Sequence, residues 1–138
     1  MTLYLELDKN PTGTAQQKGE MVRGGRIHHY TKKNVATQMA IYENAIREAL
    51  EDQGREPPMF EDAVYLDITF YYQIKAPKRW GQWKTSKPDL DNSVKSLQDV
   101  MTRMGFWKDD SQIALLKLKK RLSEHPGILI ETGRLIQP

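Results

Sequence analysis

Leu3, Leu5 and Leu7 alternate with Tyr4, Glu6 and Asp8, the period-two pattern of a short strand over Thr2 to Asp8. From Asn10 to His29 no period is sustained. That stretch is rich in Gly, Gln, Thr and basic residues and reads as a long loop, with a short hairpin expected around Gly24-Gly25. Val35, Met39, Tyr42, Ile46 and Ala49 or Leu50 then recur at helical spacing, with Thr31 as the expected N-cap and Gly54 followed by Pro57-Pro58 as the stop. The clearest strand follows, Val64, Leu66, Ile68, Phe70 and Tyr72 alternating with Tyr65, Asp67, Thr69 and Tyr71. Leu90, Val94, Leu97, Met101 and Met104 form the apolar stripe of a second helix closed by Gly105. A strand from about Gln112 to Leu122 and a Pro126-Gly127 turn come next, with Ile128 to Thr132 expected as the hairpin partner of that strand. The order β, α, β, α, β, β predicts an α+β fold, a small mixed β-sheet with two main helices packed on it. Met39, Met101 and Met104 belong to the core by their period, and no internal repeat or low-complexity segment interrupts the pattern.

The 138 residues are enough for one domain, 1–138, with a real core. The absence of cysteine excludes a disulfide scaffold, a thiol nucleophile and any thiolate metal site. Three histidines leave little for a histidine-built metal centre, so a metal here would rest on carboxylates. Neither a membrane-spanning run nor a signal-peptide core is present, since Glu6, Asp8 and Lys9 interrupt the only apolar start, and the chain reads as soluble and intracellular.

With 21 basic against 18 acidic residues the net charge is only +3, so its distribution matters more than its sum. Lys75, Lys78, Arg79, Lys84 and Lys87 stand without an acidic neighbour between them and are interleaved with Trp80 and Trp83. Lys18, Arg23, Arg26, Lys32 and Lys33 precede this run, and Lys117, Lys119, Lys120 and Arg121 follow it. Together they suit a polyanion; taken singly, each cluster also suits a solvated loop or strand face. His28 and His29 sit in the basic loop without metal-ligand spacing, and His125 precedes a turn proline.

Lys87-Pro88-Asp89-Leu90-Asp91-Asn92-Ser93-Val94-Lys95 opens the second helix. Inside a helix Asp89 and Asp91 would stand about 200° apart and share nothing, whereas an extended Asp89 after Pro88 lets the two converge. Asp91 and Lys95 are i, i+4 neighbours. One reading is structural: Asp89 caps the helix, Asp91 favours its macrodipole, and Lys95 pairs with Asp91. The other gathers Asp109-Asp110, just beyond the same helix, whose adjacent like charges gain from a cation. A hard divalent ion takes carboxylate oxygens, activates water and stabilises charge in attack on a phosphodiester. Lys95 could then neutralise the developing charge or orient the water, with Asp99 holding Lys95 in place.

Asp89-Leu90-Asp91-Asn92 with Lys95, followed after one helix by Gly105-Phe106-Trp107-Lys108-Asp109-Asp110-Ser111-Gln112, resembles the RusA family of Holliday junction resolvases. That family's signature is Asp-x-Asp-Asn followed three positions later by Lys, then Gly-Phe/Tyr-x-x-Asp-Asp-x-Gln after a helix. The match covers roughly Lys87 to Arg121; Tyr30-Thr31-Lys32-Lys33 resembles many members, and Gln17-Lys18-Gly19 loosely matches their basic N-terminal loop. The resemblance implies catalytic Asp89, Asp91, Lys95 and Asp110, with Asp89, Asp91 and Asp110 as metal ligands and Asp109 as an alternative or outer partner. It also implies a RusA-like homodimer with Mg²⁺ as cofactor, Mn²⁺ able to substitute, making symmetric nicks in four-way DNA in recombination and repair. A bacterial cytoplasm, with a prophage as one source, is the expected setting.

For DNA contact the expected residues are Lys18, Arg23, Arg26, Lys32, Lys78, Arg79, Trp80, Trp83, Lys84 and Lys87. The N-terminal loop departs from the family's proline- and arginine-rich pattern, and the tryptophan-bearing loop is longer than in compact members. Trp80 or Trp83 could stack on unpaired bases, or both could cover a sheet edge or dimer interface. Two alternatives stay open: a catalytically silent or regulatory branched-DNA-binding protein, and a nuclease for other nucleic-acid structures.

Overall fold

The alternating positions Leu3, Leu5, Val64, Leu66, Ile68, Phe70 and Tyr72 are all buried in one core over a four-stranded sheet. A computed structural model describes residues 1–13, 21–23, 26–28 and 30–138, with side chains over 1–13 and 36–138. Its strands are β1 (Thr2–Glu6), β2 (Met21–Arg23), β3 (Arg26–His28), β4 (Val64–Gln73), β5 (Ile113–Ser123) and β6 (Gly127–Arg134), and its helices are α1 (Tyr30–Asp52) and α2 (Leu90–Met104). Short 3₁₀ turns occupy Pro77–Arg79 and Asp110–Gln112. β2 and β3 pair antiparallel as the expected hairpin, its two linking glycines lying outside the described residues. Helix α1 begins at Tyr30, so Thr31 lies inside it rather than at the N-cap. A hydroxyl cap is worth only about 1 kcal/mol and yields to a helix that starts earlier.

The main sheet has the order β1-β6-β4-β5. β6 pairs antiparallel with both β1 and β4, placing Ile130 between Leu3 and Ile68 and Ile128 between Leu5 and Phe70. β5 runs parallel to β4, as a crossover through α2 permits. The expected β5–β6 hairpin is therefore corrected: β4 separates the two strands. Ile128 and Ile130 are fully buried and need neighbours on both sides, whereas β5 carries Lys117, Lys119, Lys120 and Arg121, which suit a sheet edge.

Leu3, Leu5, Leu66, Ile68, Phe70, Ile128 and Ile130 meet Tyr42, Ile46 and Leu50 of α1 and Val94, Leu97 and Met101 of α2 in one core. A polar layer joins the helices within it. Gln38 Nε2 contacts the Thr12 carbonyl at 2.6 Å, the Thr12 hydroxyl, and the Tyr42 hydroxyl at 3.0 Å; Ser96 Oγ donates to Gln38 Oε1 at 3.4 Å. This ties the segment after β1 to both helices. Gly105 ends α2 in the left-handed region (φ 93°), its N–H directed to the carbonyls of Met101 and Thr102. That positive φ is what calls for glycine, since the Met59 Sδ that a Cβ would approach at 2.8 Å belongs to an exposed, flexible side chain able to move aside. Among the described residues no helix is long and apolar enough to cross a membrane.

Candidate active site

The start of α2 is built around Asp89 without using its carboxylate. Asp89 is extended (φ −72°, ψ 147°), as its place after Pro88 leads one to expect, and its side chain makes no capping bond. Its carbonyl instead accepts from the Ser93 N–H at 3.0 Å and from Ser93 Oγ at 2.8 Å. The main chain is held and the carboxylate is exposed. Asp91 lies in the first turn of the helix, also exposed. Both ion pairs expected of Lys95 need correction, because neither Asp91–Lys95, from the structural reading, nor Asp99–Lys95, from the catalytic one, is among the ion pairs within 4.0 Å of the described residues. An exposed pair gains little over hydration and costs side-chain freedom.

A cleft of about 390 Å³ opens beside Asp89, lined by Pro11, Thr12, Gly13, Lys87, Pro88 and Asn92. It juxtaposes the N-terminal segment with the motif because the Gln38 contacts draw Thr12 inward. The larger cleft, about 590 Å³, lies against α1 and includes none of the candidate carboxylates.

Beyond α2, nearly every residue of the second motif has a structural task. Phe106 and Trp107 are buried anchors, the Trp107 indole N–H donating to Thr102 Oγ1 at 2.7 Å. Asp109 accepts from the Ser111 N–H at 2.9 Å, while Gln112 Oε1 accepts from the N–H groups of Lys108 (2.8 Å) and Asp109 (3.1 Å). Gln112 Nε2 in turn donates to the carbonyls of Phe60 (2.9 Å) and Asp62 (3.1 Å), fastening the turn to the chain before β4. Asp109 is thus a capping residue, with a pKa held below the usual carboxylate range chiefly by the Ser111 N–H. Asp110 has the opposite shift. Its pKa is raised, first by the hydrogen bond it shares with Asp109, then by burial and by the charges of Asp109 and Asp99.

Among the described residues the two halves form no common metal-holding group. Asp110 lies in the electrostatic reach of Asp99, and Asp99 stands eight residues, about 12 Å, along the helix from Asp91. Among the described residues no three acidic or histidine side chains converge to hold a metal.

The basic loop doubles as an edge strand. Gly81 N–H donates to the Leu122 carbonyl (2.8 Å), Leu122 N–H to the Gln82 carbonyl (2.9 Å), and Lys84 N–H to the Lys120 carbonyl (3.0 Å). The backbone around the tryptophans therefore covers the sheet edge, one of the two roles weighed above. Trp80 is 37 % exposed and donates its indole N–H to the Ile74 carbonyl at 2.8 Å; Trp83 is 58 % exposed with the Arg121 guanidinium 3.7 Å over one ring face. Lys84 Nζ stands 4.9 Å over the Tyr72 ring and 2.7 Å from Ser86 Oγ. Its pKa is lowered by burial, then by the charges of Lys120 and Arg79. Lys78, Arg79 and Lys87 are exposed on the same loop. Lys18 lies outside the described residues, and of Arg23, Arg26 and Lys32 only the backbone is described.

Sequence alone did not point to Gln38, and it gave Ser93, Gln112 and Lys120 no role of their own although they stand in the motifs and the basic cluster. Gln112 was legible, since Asp109-x-x-Gln112 has capping-box spacing. Lys120 carries no local signal, because its partners lie more than thirty residues away in the chain.

These features define a class: a two-layer α+β domain presenting exposed carboxylates beside a basic edge loop. The family model described as endodeoxyribonuclease RusA matches residues 8–132. The chain is 43 % identical over 129 residues to the crossover junction endodeoxyribonuclease rusA of Lactococcus phage r1t, covering 91 % of this chain and 92 % of the relative. It is 46 % identical to the uncharacterized protein YqaN of Bacillus subtilis (strain 168), with 86 % of each chain covered. The protein belongs to the RusA endodeoxyribonuclease family.

Proposed function

We propose that the protein is a Mg²⁺-dependent endonuclease that resolves four-way DNA junctions by paired nicks, as a homodimer, in recombination and repair. The observation that carries this is the family match over residues 8–132 together with exposed motif carboxylates, Asp89, Asp91 and Asp110, none of which enters an ion pair among the described residues. The phage relative supports a bacterial cytoplasmic setting and a prophage source.

The donor set fits a hard divalent cation, all oxygen and all exposed, with Mn²⁺ able to substitute. When bound, Mg²⁺ would supply charge neutralisation at the phosphodiester and a more acidic water. Asp89, Asp91 and Asp110 would hold it. Lys95, exposed one turn beyond Asp91, is placed to meet negative charge developing on the phosphate. Lys78, Arg79, Lys84 and Lys87 provide backbone-phosphate contacts that position the strand without reading its sequence. Trp83 has more exposed ring to offer an unpaired base than Trp80, whose indole is tied back.

Among the described residues Asp89, Asp91 and Asp110 of one chain do not gather into a single metal-holding group. A second copy completes the group by contributing Asp110 to the Asp89–Asp91 pair of its partner. The free part of the β5 edge supports such a dimer: the loop covers Lys120 to Leu122, while Leu115 and Leu116 upstream are 49 % and 44 % exposed. Antiparallel pairing of two β5 strands about these leucines would carry each Asp110 toward the end of the partner strand that lies beside Pro88 and Asp89.

The test is nicking of a labelled immobile four-way junction beside a linear duplex of matched sequence, in Mg²⁺ or EDTA. Paired symmetric cuts in the junction alone, lost in EDTA and in Asp91→Asn while that variant still binds, are the expected result. Binding without cutting in Mg²⁺ and Mn²⁺ would instead make the protein a silent branched-DNA binder.

A further inference from the structure

The peptide run that delivers Asp89 is fastened from below by one side chain. Lys120, half-buried on β5 opposite Phe70, donates from Nζ to the Ser86 carbonyl at 2.8 Å and to the Pro88 carbonyl at 2.8 Å. These two acceptors bracket Lys87. Two of the three ammonium donors are thereby spent on main chain, unlike Lys84, whose Nζ contacts the Ser86 hydroxyl and an aromatic face. The next residue, Asp89, has its own carbonyl tied to Ser93 N–H and Oγ. The main chain is thus pinned immediately before and immediately after the Asp89 side chain, by β5 on one side and α2 on the other. Only the carboxylate is left without a capping bond.

We propose that Lys120 is a positioning residue for the candidate metal site, setting the place of the Asp89 carboxylate through the Ser86 and Pro88 carbonyls rather than by touching DNA. The proposal rests on reading Asp89 as a metal ligand. Groups that orient a ligand without touching the ion commonly change metal affinity by about 10- to 100-fold when removed. A phosphate contact behaves otherwise: its loss weakens binding on every sequence and lowers the salt slope by about one.

The experiment compares Lys120→Met and Lys84→Ala with the wild type in the full chain. Three quantities are read: Mn²⁺ affinity by calorimetry on the DNA-free protein, salt dependence of junction binding in EDTA, and amide exchange across residues 84–92. For Lys120→Met the expected result is Mn²⁺ affinity lower by about tenfold or more, an unchanged salt slope, and faster exchange across that segment. For Lys84→Ala the expected result is a shallower salt slope with Mn²⁺ affinity retained. A shallower slope in Lys120→Met, or unchanged metal affinity, or unchanged exchange, would overturn the proposal. If Lys120→Met melts too low to assay, Lys120→Gln, which also removes the charge, is read by the same three measurements. Failure of the nuclease reading would show separately, as a wild type that binds Mn²⁺ and junction but cuts nothing.

Discussion

Mixing two inactive variants tests whether each active site is assembled from two chains. In a shared site, Asp89 and Asp91 come from one protomer and Asp110 from its partner. Asp89→Asn and Asp110→Asn should each be inactive alone, since every site in either homodimer lacks one carboxylate. In a heterodimer of the two, one site receives the intact Asp89 of one chain and the intact Asp110 of the other, while the second site lacks both. Free exchange at equal concentrations gives about half heterodimers with one working site each, so nicking returns to about a quarter of the wild-type value. The products should be single nicks, visible on a denaturing gel, rather than paired cuts. Asp89 makes no capping bond, Asn at 110 keeps an oxygen and a donor for the Asp109 contact, and both residues are exposed, so each variant should melt close to the wild type. Subunit exchange is verified by co-purification of a tagged copy with an untagged one. Absence of any recovery after verified exchange would refute the shared site, because a site built within one chain has one broken carboxylate in every combination.

Asp109→Ala should lower Tm by about 3 °C through loss of the Ser111 cap, while Asp109→Asn, an equally good cap, should melt with the wild type; equal melting of all three by calorimetry would count against the capping role. Leu115→Lys with Leu116→Lys should leave the fold intact and shift sedimentation from dimer to monomer; a persistent dimer would place the interface elsewhere. Burial pushes the Tyr42 hydroxyl up to about 12. Because the folded chain retains that proton while the unfolded chain loses it near the ordinary value of 10.0, the stability is fully present below pH 10 and falls by about 2–3 kcal/mol as pH rises toward 12. Alkaline denaturation should show this slope, and Tyr42→Phe should reduce it.

The elements and the chemistry at stake were legible along the chain. Helix α2 was legible because its stripe has one period and its glycine stop has one conformational reason; β4 was legible because its alternation is unbroken over nine residues. The motif residues were legible because Asp89, Asp91, Lys95, Asp109 and Asp110 lie close together in the chain, and short-range spacing survives into structure. Tertiary structure alone decided the rest. Whether β6 pairs with β5 or enters between β1 and β4 depends on burial of Ile128 and Ile130 against distant strands, which local alternation does not encode. The different duties of Asp109 and Asp110 follow from Gln112 reaching Phe60 and Asp62, contacts some fifty residues apart. The hold on Asp89 by Lys120 joins a strand edge to a loop more than thirty residues earlier. Periodicity reports which face a residue prefers; only the packed chain sets which polar groups are used up by the fold and which remain for chemistry.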